Sequence, residues 1–110
     1  MAARQYPLVV DQGADYELTI PVVDGSASAV DVDDWVVRGQ IRAKAGGATV
    51  LADIDVVTSG TDVVLRVPHS ASSSWAFRTG RYDVELTSPD GLNVIRLLEG
   101  AVIVRPEVTR

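Results

Sequence analysis

The fold class this sequence predicts is an all-β sandwich, and three observations predict it. Apolar and polar residues alternate with a period of two over several short segments, as in Asp15-Tyr16-Glu17-Leu18-Thr19-Ile20 and Arg81-Tyr82-Asp83-Val84-Glu85-Leu86. Tight-turn signals separate these segments: Gly46-Gly47, Ser59-Gly60 and Pro89-Asp90-Gly91. Much of the 46% apolar content is Val and Ala rather than aromatic, and a β-branched side chain stiff at χ1 suits a pleated surface.

Taken in order, residues 6–10 predict a short first strand and residues 11–14 its exit. Residues 15–23 alternate, with Tyr16, Leu18, Ile20 and Val22 on the buried side, and Pro21 places this strand at an edge or near a bulge. Residues 24–28 are a loop, and the acidic stretch 30–35 leads into the longest strand, residues 36–44. Two-residue loops at Gly46-Gly47 and Ser59-Gly60 would fix the register of a three-stranded meander. Ile41 then faces Ala52 and Ala43 faces Val50, while Ile54 meets Leu65 and Val56 meets Val63. On the other face Arg38 opposes Asp55, Gln40 opposes Asp53, and Asp53 opposes Arg66. Such exposed pairs contribute only about 0.2–1 kcal/mol each, so their role is register and solubility.

Pro68 ends that pattern, and the serine-rich run to Phe77 predicts a crossing segment containing a single helical turn. Tyr82, Val84 and Leu86 then point inward. A turn at Asp90-Gly91 sets Ile95 and Leu97 beside them and Arg96 opposite Glu85. A bulge at Glu99-Gly100 precedes a last strand over residues 101–105, and Pro106 ends it. About seven or eight antiparallel strands in one domain is the count of an immunoglobulin-like sandwich, and Gly80-Arg81-Tyr82 offers a tyrosine corner.

Length and composition bound the function. A chain of 110 residues buries one core and has no room for a second, so residues 1–110 form a single domain. The absence of cysteine excludes disulfide scaffolds and thiolate metal sites. A net charge of −5 disfavours nucleic acid and anionic membrane surfaces as partners. Residues 1–7 lack the apolar run of a signal peptide and no stretch is long enough to span a bilayer, so synthesis as a soluble intracellular chain without membrane insertion is expected.

No residue set carries an obvious chemistry. His69 has neither a second histidine nor a cysteine to help it hold a metal, and a triad with one of the serines at 70–74 has no local spacing to support it. Asp31, Asp33 and Asp34 have the oxygens calcium prefers but lack the glycine and terminal Glu of an EF-hand; the alternative is a solvated turn in which Asp34 caps a helical turn before Trp35. Asp53 and Asp55 could mimic a glycosidase pair, but the register assigns them basic or amide neighbours. The expectation is therefore a non-enzymatic chain with no cofactor, no metal and no catalytic residues. Trp35 and Trp75 remain as surface anchors, for a protein or a sugar ring, unless they plug the ends of the sandwich.

From Gln12-Gly13 through Gln40-Ile41-Arg42, Tyr82-Asp83-Val84-Glu85-Leu86, Pro89-Asp90-Gly91 and Leu98-Glu99-Gly100-Ala101-Val102-Ile103-Val104 to the closing Pro106-Glu107-Val108-Thr109-Arg110, the chain resembles small immunoglobulin-like tail and baseplate proteins of tailed bacteriophages and prophages. The resemblance covers nearly the whole chain, and the order of its pieces and their ending carry it. It implies a minor tail or baseplate protein of the virion that mediates subunit assembly, within a symmetric homo- or hetero-oligomer, and attachment of receptor-binding or fibre proteins. Residues 1–7 and 106–110 would then be docking tails, with Tyr6, Pro7, Arg105 and Pro106 among the contact residues. Val108 and Arg110 complete that set with the two tryptophans. A capsid decoration protein, or a carbohydrate-binding or adhesin module, is the alternative.

Overall fold

The computed structural model describes residues 4–24, 26–44 and 47–106. Among the described residues eight strands and one helical turn follow one another: β1 Arg4–Gln5, β2 Leu8–Asp11, β3 Tyr16–Pro21, β4 Val36–Arg42, β5 Val50–Ser59, β6 Asp62–Val67, α1 His69–Ser72, β7 Thr79–Thr87 and β8 Val94–Arg105. One sheet joins β8, β7, β4 and the first half of β5, with β1 and β2 laid consecutively along β8. The other joins the second half of β5 to β6 and β3. The fold is the all-β sandwich the alternation predicts, and its strand pairing is of the immunoglobulin type.

The strands are not all antiparallel: β1 and β2 run parallel to β8. Parallel neighbours need a long crossover, and here the whole intervening domain is that crossover. The predicted three-stranded meander is present as β4, β5 and β6, each antiparallel to the next, but it is shared between the two sheets. β5 pairs with β4 only up to Ile54 and with β6 from Asp55 onward, so one continuous strand passes from one sheet to the other and closes that side of the sandwich.

Two predicted registers shift. The β5–β6 loop is Gly60-Thr61, not Ser59-Gly60, because Gly60 has φ +62° and occupies the first central position of a type II′ turn. Moving the loop by one residue moves each pairing by two, which preserves the buried face. Val56 meets Leu65, and Asp55 rather than Asp53 faces Arg66. An irregularity between Ile41 and Arg42 sets Arg42, not Ala43, opposite Val50, whereas Ile41–Ala52 and Gln40–Asp53 pair as expected. Gly46 lies outside the described residues.

The β7–β8 hairpin keeps the predicted Glu85–Arg96 pairing, on a four-residue loop of residues 89–92. Its bulge lies at Leu97, between the pairs Glu85–Arg96 and Val84–Leu98, instead of at Glu99-Gly100. The extra residue displaces Leu97, so Leu98 takes the inward place opposite Val84. β8 consequently runs unbroken where two strands were expected.

The core is the period-two pattern folded on itself. Ile20, Val63 and Leu65 of one sheet pack with Ile41, Val84, Leu86, Leu98, Val102 and Val104 of the other, and Leu8 and Val10 close the edge. The crossing segment is the single turn α1, as predicted. Its buried Ser72 accepts the Gly13 N–H at 3.0 Å, while Gln12 Nε2 donates to the Trp75 carbonyl at 3.1 Å. These bonds tie the β2–β3 turn across the end of the core.

Candidate functional site

The predicted contact residues fall in three places. Tyr6, Pro7, Arg105 and Pro106 lie along the edge that β1 and β2 make with β8, where Arg105 Nε pairs with Asp11 at 3.2 Å. Trp35 is half-buried against the core beside the start of β4. Trp75 is only 9% exposed and stacks on Phe77 with ring centroids 5.0 Å apart, so it plugs the core and is not an anchor for a partner. Val108 and Arg110 lie outside the described residues.

Part of the expected N-terminal docking tail is built into the sheet. Tyr6 N–H donates to the Glu99 carbonyl at 3.0 Å, and the Tyr6 carbonyl accepts the Tyr82 hydroxyl at 2.5 Å. Tyr82 therefore reaches the N-terminal arm and not a group at its own corner, which corrects the tyrosine-corner expectation. Burial pushes the Tyr82 phenol well above its ordinary pKa, keeping it a donor. Opposite Tyr82 sits Gly100, the one residue type that lets the arm pass this close: a Cβ there would lie 2.5 Å from the Tyr6 carbonyl oxygen.

His69 and the acidic residues are occupied structurally. Asp15 Oδ1 accepts the His69 backbone N–H at 2.7 Å and lies 2.8 Å from Nδ1, while Ser73 Oγ donates to the His69 carbonyl and not to its ring. Asp31 Oδ1 accepts the Asp33 N–H, and Asp33 Oδ1 accepts the Gly60 N–H at 2.6 Å, pinning the β5–β6 loop. Asp34 caps no turn: the Trp35 N–H goes to the Val32 carbonyl. Among the described residues no group of three or more His, Cys, Asp or Glu is placed to hold a metal ion.

The His69 bonds hold the Asp15 carboxyl below the ordinary Asp value, its backbone N–H contributing most. A lowered folded-state value means stability present above the ordinary Asp pKa and lost as pH falls through the lowered one. Asp15→Asn should therefore lower the melting temperature at neutral pH, where the ionised carboxylate contributes, and flatten the acid limb below about pH 4, where variant and parent converge. An unaltered acid limb in thermal melts would assign that limb to other carboxylates, such as Asp90, which Ser88 Oγ and the Leu92 N–H hold low in the same way.

A surface that sequence reasoning missed is the outer face of β4, β7 and β8. Its middle is a satisfied ladder: Arg96 lies 3.6 Å from both Asp83 and Glu85, Gln40 Nε2 donates to Asp53 at 3.2 Å, and Arg42 Nη2 donates to Gln40 Oε1 at 3.0 Å. Its two ends differ. At the β7–β8 loop end stand Leu92, 82% exposed, with Val94 and Val36 flanking Thr87 in one row across the strands. At the other end Arg42 and Arg81 are direct cross-strand partners, and like charges so opposed are destabilising. Among the described residues neither makes an ion pair with a carboxylate. A cleft of about 220 Å³ between them also takes in Lys44 and Glu99. The legible signal was parity: Val36 and Val94 are apolar residues on the polar side of their strands.

The free edge of β3 is guarded. Val22 N–H bonds to Thr61 on the β6 side, so by alternation residues 17, 19 and 21 turn their backbone outward, and Pro21 has no N–H to offer there. Contact through the flat face and the loops is therefore favoured over strand addition at that edge.

No curated protein matches the chain. A family model described as "LtfC-like, beta-sandwich domain" matches residues 2–105, from beside the N-terminal arm to the end of β8. With the sandwich and its sheet-switching strand in place across that span, the chain belongs to the LtfC-like β-sandwich domain family.

Proposed function

We propose that this chain is a non-catalytic structural component of a bacteriophage virion, a minor tail or baseplate protein that mediates subunit assembly and attachment of receptor-binding or fibre proteins. The resemblance carried by the order of motifs from Gln12-Gly13 to the closing Pro106-Glu107-Val108-Thr109-Arg110 supports the virion reading. The observation that carries the assembly role is the outer face of β4, β7 and β8. Its two ends hold exposed apolar side chains and the Arg42–Arg81 couple, in which Arg42 bonds the Gly47 carbonyl and Gln40 but neither arginine has a carboxylate partner among the described residues, so another surface can supply one. The polar groups of its middle are spent on one another in exposed ladders, not converged on a reacting atom.

Quantitative mass spectrometry on gradient-purified particles from the source tests the reading. A copy number that is a small multiple of three or six is the expected result, as closed symmetry requires. Copies on the order of the major capsid protein would make it a decoration protein, and absence from particles would sink the virion role.

A further inference from the structure

The chain is elongated, 45 Å against 27 and 21 Å across, and the charges without an ion-pair partner are unevenly placed between its two ends, whereas Asp11 and Asp15, paired with Arg105 and His69, stand beside the mainly cationic one. Three connections meet at one end: residues 22–35 between β3 and β4, the β5–β6 loop, and the β7–β8 loop. Backbone bonds from Val22 to Thr61 and from Val32 to Gly60 join the first two, and the Val36–Thr87 pairing sets the third beside them. Together with Asp62, the first residue of β6, they carry Asp24, Asp31, Asp33, Asp34 and Asp90 without a single Lys or Arg. The side chains of Asp34 and Asp62 make no hydrogen bond or ion pair among the described residues.

The opposite end of the β4–β7–β8 face is mainly cationic, with Glu99 and the Arg96-paired Asp83 lining the same cleft. Arg42, Lys44, Arg78 and Arg81 stand there at the far ends of β4 and β7, and none pairs with a carboxylate among the described residues. Arg42 bonds the Gly47 carbonyl and Gln40 but opposes Arg81 directly, a like-charge arrangement that an incoming anionic surface would relieve. Each end also presents apolar side chains: Leu92, Val94 and Val36 at the acidic end, and the neighbouring pair Val9 and Ile103 near the cationic one. Acid and base with apolar neighbours, on opposite ends of an elongated body, are the two halves of a heterologous contact.

We propose that copies of this chain associate head to tail, the acidic three-loop end of one seated on the Arg42/Lys44/Arg78/Arg81 end of the next. The partner is a second copy of the chain, and the inference rests on the reading of the protein as an assembly subunit. Because such a contact is not self-complementary, it propagates into a closed ring or a short stack, not a two-fold dimer. Opposite charge supplies orientation and encounter, so the contact weakens with ionic strength.

Sedimentation equilibrium of the full chain tests this. Association at low ionic strength should weaken about tenfold or more in 0.5 M salt, where the Debye length falls to a few ångströms. The double variant Lys44→Glu/Arg81→Glu should be monomeric alone, and so should Asp34→Lys/Asp62→Lys; circular dichroism and thermal melting check that both fold. An equimolar mixture of the two variants should associate again, since each retains the end the other lacks. A wild-type chain that stays monomeric at low salt and high concentration overturns the proposal, as does association indifferent to salt or to either variant. The particle count is independent: a chain found in virions yet monomeric in solution rejects the stacking and keeps the virion role. A chain that associates as described but is absent from particles does the reverse.

Discussion

Gly100→Ala should lower the unfolding free energy by about 1–3 kcal/mol and release the N-terminal arm from β8. The added methyl would sit 2.5 Å from the Tyr6 carbonyl oxygen and 3.0 Å from its carbon, both backbone atoms that cannot rotate away. The arm must move, and two bonds go with it: Tyr6 N–H to Glu99, and the Tyr82 hydroxyl to Tyr6. Urea denaturation gives the stability change, and amide exchange shows where it acts, with Tyr6 and its neighbours losing protection while β3 and β6 retain theirs. Tyr82→Phe separates the components: it removes one hydroxyl from a nearly buried ring and should cost about 1 kcal/mol without displacing the arm. A Gly100→Ala protein as stable as the parent, with Tyr6 still protected, would show that the arm is not held by this close approach.

Leu65→Ala should cost about 2–5 kcal/mol, the largest single effect in the sheet formed by β3, β6 and the second half of β5. Leu65 is fully buried on the central strand of that sheet, with Leu18 and Val56 as its cross-strand neighbours. Truncation removes apolar area and leaves a cavity between two hydrogen-bonded sheets that cannot collapse onto it. Chemical denaturation should show a lower midpoint at an unchanged slope. A loss under about 1 kcal/mol would mean that the sandwich closes around the gap.

How far such positions were legible varies with the physics that sets them. Inward residues of β3, β6 and β7 follow from alternation, because a strand has two faces and only one meets the core. That is why Ile20, Leu65, Val84 and Leu86 are where parity puts them even though the β5–β6 register shifted. Moving a loop by one residue changes pairings by two, so facing was robust where partnership was not. Asp55 rather than Asp53 opposite Arg66 is the visible consequence. Trp75 was ambiguous for the opposite reason: it lies in a segment without periodicity, where only the closure of α1 over the core makes it a plug.

The surface residues divide in the same way. Tyr6, Pro7, Arg105 and Pro106 are exposed at an edge, as chain-end positions suggested. The Arg42–Arg81 couple and the three-loop acidic end went unread, because Asp34, Asp62 and Asp90 are far apart in sequence and become neighbours only when β3–β4, β5–β6 and β7–β8 end together.

By itself the sequence determined the fold class, the inward faces of the strands and the place of the crossing turn, since these depend on local period and on turn residues. Tertiary structure alone decided that β5 passes between sheets, that the arm runs parallel to β8 beneath Tyr82, and that the three acidic loops gather at one end. Each of these is a relation between segments distant in the chain, and no local pattern encodes a distance that only packing fixes.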